Sequence, residues 1–155
     1  MSRWICSNRA ILPMFANLSG VTSYTSDAQI IMEFEGETPI AGALYDNYNG
    51  KSVHVHVWVA KGQRPSRVWW WVAHDYPFNR LAVTNVFATI ASSNEDAIRL
   101  AEKMGGKVVA TLPDYFLTCD DCLMFLGTEE TATHWQRYRN GKVSPPTYSR
   151  IAKAA

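Results

Sequence analysis

The spacing of hydrophobic residues changes several times along the chain, and each change marks an element. From Val83 to Ala91 the sequence VTNVFATIA alternates positions rich in β-branched residues, the two-residue period of a strand. Beyond Ser92-Ser93 the period lengthens: Ala97, Leu100, Ala101 and Met104 recur at i, i+3, i+4 and i+7, one apolar stripe on a helix. The two serines are the expected caps, with Glu95 and Asp96 three residues beyond them to complete a capping box. Gly105-Gly106 is the expected stop, because glycine adopts the left-handed conformation cheaply. Lys107 to Leu112 then returns to a strand, so 83–114 reads as strand, helix, strand.

The remaining elements follow in the same way. Arg9 to Leu18 has helical character, with Pro13 expected to kink or shorten it. Ser19 to Asp27 is turn-rich and expected to be a loop. Ile30, Met32 and Phe34 alternate with Ile31, Glu33 and Glu35 in a strand; EGETP turns the chain, and Ile40 to Tyr45 is a second strand. Asn49-Gly50 marks a hairpin. Lys51 to Ala60 is a third strand, with Val53, Val55, Val57 and Val59 on one face and Ser52, His54, His56 and Trp58 on the other. These three strands form an antiparallel meander. The run RVWWWVAHDYPF supports two readings, a buried strand from its Val and Trp content or a helix capped by Ser66 and stopped by Pro77. After a loop or bulged hairpin at 114–121, Cys122 to Leu126 is a last strand, and Glu129 to Arg139 a short helix. Residues 141–155 carry a Pro-Pro pair and no periodicity, and are expected to be an extended tail on a single domain of residues 1–140.

Composition narrows the class. The chain of 155 residues, 47% hydrophobic with net charge +1, is long enough for one domain with a sizeable core and gives no electrostatic case for nucleic acid. Its longest apolar run, Val68 to Ala73, is far short of the roughly 20 residues of a membrane span, and no signal peptide is read at the N-terminus. Three cysteines argue against a disulfide framework and for a reducing compartment, hence a cytoplasmic location. From Thr131 onward there are five basic residues and no acid. That tail, with an exposed tryptophan from Trp69-Trp70-Trp71, is an expected contact surface for a protein partner or a second copy.

Two features invite chemistry. His54 and His56 share a strand face at a spacing used by two-histidine metal sites, but no third ligand is evident nearby in sequence, so no metal is assigned. A general base or ordinary hydrogen-bonded histidines are the other readings. Cys119-x-x-Cys122 lacks the second pair that zinc requires and enters a strand rather than a helix, so it reads as two reduced thiols.

A strand followed by N-x-x-A on a helix ending in Gly (Asn94, Ala97, Leu100, Gly105), then a strand and a hairpin, resembles the C-terminal half of the GNAT acyltransferase family. The likeness extends from about Ala28 to Gly127, and Tyr76-Pro77-Phe78 resembles the helix end of small GNAT-like proteins encoded by bacteriophages. The resemblance selects the helical reading of Arg67 to Tyr76, which joins two neighbouring parallel strands. It implies an α/β fold with a mixed sheet and a splayed parallel pair. It also implies acetyl-CoA as cofactor and an amine as substrate, with pantetheine along Val57 and Val59, phosphates at Gln63, Arg64, Ser66 and Arg67, Asn94 on the cofactor arm, and His56 as base. Ser66 and Val68 stand where the family's phosphate loop has glycines, and Ala101 stands where it commonly has a tyrosine acid. A scaffold that has kept the fold without catalysis, virion-associated if of phage origin, is the alternative.

Overall fold

Strand register fixes the architecture. In the computed structural model, which describes residues 2–132, 136–137 and 151–152, β1 (Arg3–Cys6), β2 (Gln29–Glu35), β3 (Thr38–Asp46) and β4 (Ser52–Val59) pair antiparallel in succession. Helix α1 (Leu12–Ser19) lies between β1 and β2, and α2 (Arg67–Asp75) between β4 and β5 (Asn85–Ala91). β4 and β5 are parallel neighbours, the crossover that the helical reading of 67–76 requires. Helix α3 (Glu95–Lys103) leads to β6 (Lys107–Leu112), an edge strand, while β7 (Cys122–Thr128) inserts between β5 and β6. The order is β6-β7-β5-β4-β3-β2-β1-β8, where β8 is Ile151–Ala152, parallel to β1.

The two faces of the meander are covered by different helices. On one, α1 packs Leu12 and Phe15 against Cys6, Ile30, Met32 and Leu44. The approach is close: a Cβ on Gly42 would lie 2.7 Å from the Phe15 ring. On the other, Trp69 of α2 sits over Ile31, Ala41, Ala43 and Val53, fully buried, with its indole N–H donated to the Ile31 carbonyl at 3.3 Å. The alternation read in residues 52–59 holds, with Val53, Val55, Val57 and Val59 toward α2 and Trp58 toward α1.

Several local expectations are corrected. Pro13 does not kink a helix but occupies the first turn of α1, where its missing N–H has no partner to lose, after a short 3-10 turn at Arg9–Ile11. β1, for which four residues carry too little periodicity, was not anticipated. The cap of α3 is Asn94, whose Oδ1 accepts the Ala97 N–H at 3.2 Å, rather than either serine. α2 does not stop at Pro77; it runs into one wide π turn at Tyr76–Arg80. The link around Asn49-Gly50 is a five-residue loop, since β3 ends at Asp46 and β4 starts at Ser52. Trp69 is removed from any contact surface by its burial, and Trp70 and Trp71 are half-buried. Most of the expected helix 129–139 and of the tail 141–155 lies outside the described residues. No described helix is long and apolar enough to cross a membrane.

Candidate functional site

β4 and β5 are paired only through Ser52–Asn85, Val53–Val86 and His54–Phe87. Beyond His54 the strands diverge, and the β5-facing edge of β4 is open along Val55–Val59. Such an edge presents unpaired backbone donors and acceptors to an extended ligand. A groove of about 1090 Å³ runs along it, and a cavity of about 1210 Å³ lies alongside. The two share walls at Val57, His74, Asn94, Ala97, Leu100 and Met104, so they meet at the splay.

The groove contains most of the residues expected to hold a cofactor. Val57, Val59, Gln63, Arg64, Arg67 and Asn94 all line it. Lys103, which the sequence did not single out, and Arg137, read there only as part of the basic C-terminal stretch, add positive charge to its wall. Lys103 also lies over the Trp70 ring at 5.4 Å, a cation–π contact that ties α3 to α2.

The start of α2 departs from an open backbone cradle. Ser66 caps the helix, accepting the Trp69 N–H at 3.2 Å, while its own N–H is donated at 2.9 Å to Oε2 of Glu33. Glu33 is 1% exposed and pairs with Arg3 at 3.5 Å. A protein carboxylate therefore already occupies part of the helix's positive end. Pro65 offers no N–H at all. The residues present fit an extended arm along β4 and supply cationic side chains for phosphate, but they do not fit a backbone phosphate cradle.

The cavity wall gathers the titratable side chains Asp46, His54 and His56. Asp46 and His54 are cross-strand partners, and His56 is two residues on along the same face. Oδ1 of Asp46 is 3.6 Å from Nδ1 of His54 and 3.4 Å from Nε2 of His56, and the rings meet edge to face at 4.6 Å. Oδ2 of Asp46 accepts the Thr25 N–H at 3.3 Å, and His54 Nε2 lies 3.3 Å from the Thr89 hydroxyl. Burial holds both imidazoles below histidine's ordinary range; His56 adds to this at His54, while Asp46 opposes it at both. Both rings are therefore uncharged near neutrality and can accept a proton. Tyr45, also on the cavity wall, is not available for acid chemistry: its hydroxyl is donated to the Ala73 carbonyl, and burial pushes its pKa far above the tyrosine range.

Asp46 was the residue missed. The observed register pairs positions whose numbers sum to 100 and sets 46 opposite 54, whereas a two-residue Asn49-Gly50 turn would set 46 opposite 53, so the turn signal pointed one residue away. Of the Cys119-x-x-Cys122 pair, Cys119 is exposed and Cys122 is buried on β7, and neither is in a disulfide.

No protein-family model matches the chain, and no curated protein matches its sequence. Solved structures do match. The spermidine/spermine N-acetyltransferase SpeG from Vibrio cholerae, in a mutant form, superposes with a TM-score of 0.68 at 14% identity, over 92% of this chain and all of that one. The same enzyme in complex with manganese ions gives 0.68 at 15% identity over 91% and 97%. A dodecameric form in an intermediate state gives 0.66 at 14% over 91% and 98%. The fold is thus that of the GNAT acetyltransferases. These structures are bacterial enzymes and lend the phage-derived alternative nothing.

Proposed function

We propose that the protein is an acyl-CoA-dependent N-acyltransferase acting on an amine. The observation that carries this reading is the splay itself: β4 is released from β5 just past His54, and the groove along its free edge meets a cavity holding an Asp–His pair. The likeness in fold to acetyltransferases supports it. When bound, acetyl-CoA supplies a thioester carbonyl as electrophile. Val57 and Val59 would align its arm through their backbone, Gln63 and Asn94 would contact it, and Arg64 and Arg67 would pair its phosphates, while Ser66, engaged with Trp69 and Glu33, would stay out of contact.

The chain's own part in the chemistry is proton handling. With its hydrogen on Nε2, which lies 3.4 Å from Asp46 but out of line for a hydrogen bond, His56 has its lone pair on Nδ1. That atom would take the proton of the attacking amine as the new carbon–nitrogen bond replaced the carbon–sulfur bond, whose electron pair would stay on the departing sulfur. Asp46 steadies the imidazolium, as the carboxylate does in other acid–histidine pairs.

Two measurements test this. At acetyl-CoA about a hundredfold above its Kd, linkage gives about 2.7 kcal/mol of added stability. For a chain of this size that raises the melting temperature by about 5–10 °C. No shift at millimolar acetyl-CoA rejects the reading and leaves a scaffold without cofactor. Replacing His56→Gln should lower kcat about a hundredfold, in the range of general-base loss, while the acetyl-CoA shift persists. An unchanged kcat would move the base elsewhere.

A further inference from the structure

Asp46, His54 and His56 bring three ligand atoms within 4.8 Å of one another, drawn from two adjacent strands and facing one cavity. Tetrahedral zinc with ligands about 2.0–2.1 Å away separates them by about 3.3 Å. The two distances from Asp46, 3.4 and 3.6 Å, already match that spacing, and only the separation of the two rings must close further. The second observation is independent of the clustering. Oδ1 of Asp46, on a side chain 7% exposed, is buried and has no hydrogen-bond partner among the described residues, although it is directed between both imidazoles. A buried carboxylate oxygen left in that condition is costly, and a bound cation removes the cost.

The surroundings fit ligation as well. Thr25 N–H fixes the other carboxylate oxygen, and Thr89 stands at the far nitrogen of His54, the outer contacts that orient metal-binding carboxylates and histidines. The residues sit on paired strands rather than a loop, with His54 and Asp46 held in direct register. We propose that Asp46 Oδ1, His54 Nδ1 and His56 Nε2 form a three-ligand site for a divalent transition cation of the zinc type, with a fourth position open to the cavity. Two imidazoles and one carboxylate favour zinc, cobalt or nickel over magnesium and calcium, which take oxygen ligands.

The site carries a regulatory consequence that rests on the acyl-transfer reading above. A cation on Nε2 of His56 leaves the ring's hydrogen on Nδ1, the atom that must accept the amine proton. The cation would then inhibit transfer. Binding itself does not depend on that reading, so it is measured without cofactor or turnover.

The experiment is titration of the chelator-stripped full chain with Zn²⁺ against a colorimetric indicator, and with Co²⁺ followed by visible absorption. One equivalent should bind, with no competition from excess Mg²⁺. His54→Ala, His56→Ala and Asp46→Asn should each weaken it by at least about tenfold, the lower end of what even outer-sphere changes cost. Cys119→Ser should leave it unchanged. Absence of saturable binding overturns the site, and so does binding that survives all three ligand substitutions. If those variants fold poorly, the unaltered chain still decides: strong near-ultraviolet thiolate-to-cobalt absorption would place the ion on cysteine and overturn the assignment. Saturable binding by the histidine–aspartate set without loss of acyl transfer would keep the site and sink only the inhibitory consequence.

Discussion

The meander and the C-terminal half are built on the same sheet, yet they use hydrophobic residues in opposite ways. In β2 and β3 most residues are fully buried, clamped between Phe15 on one face and Trp69 on the other. In β5, α3 and β6 no residue is fully buried. The apolar stripe of α3, which ordinarily marks a core face, lines the cavity instead: Ala97, Leu100, Ala101 and Met104 are all on its wall. Amphipathicity shows that a helix has an inner side. It does not show whether that side meets protein or a space kept for a ligand.

This contrast can be broken at its strongest point first. Phe15→Ala removes a fully buried ring and should cost about 3–5 kcal/mol. Leu100→Ala, made in the half-buried stripe, should cost about 1 kcal/mol or less. Urea denaturation of both variants measures the difference, and equal losses would show that α3 packs on a true core. Gly42→Ala is a smaller test of the same clamp. The added methyl meets Phe15 at 2.7 Å, and overpacking of this kind costs about 1–3 kcal/mol. Finest in scale is amide exchange: β6, an edge strand with Val108, Val109 and Leu112 exposed, should exchange well before β3. Comparable protection in the two strands would mean that something covers the β6 edge in solution.

The sequence made some of this legible for physical reasons that can be named. A two-residue period exposes which face of β4 is valine and which is histidine, because successive side chains must point to opposite sides. The Ser66 cap was readable since serine before an apolar run satisfies an orphan N–H. The strand-or-helix fork at 67–76 was not settled by period. It closed only through the resemblance to the GNAT fold, whose strand order calls for a crossover helix there. Glu33 was opaque: an acid within an alternating strand reads like any other polar position, and only the placement of α2's first turn shows why it is buried. Asp46 fell one residue past the expected strand end at Tyr45, and its meaning depended on the cross-strand partner rather than on its neighbours in sequence.

The carboxylate of Glu33 has a consequence for how an anionic ligand would be attracted. In a backbone cradle the donors are fixed dipoles at close range, and dissolved ions hardly weaken them. Here the first N–H of the α2 entry is turned inward to Glu33, and attraction passes to guanidinium and ammonium groups on long side chains at the groove rim. Charges of that kind are screened over about 10 Å at 0.1 M ionic strength and over about 3 Å at 1 M. A short-range grip would thus give way to a long-range field, and the ionic strength around the protein would set how strongly the groove could draw a phosphate-bearing molecule from a distance.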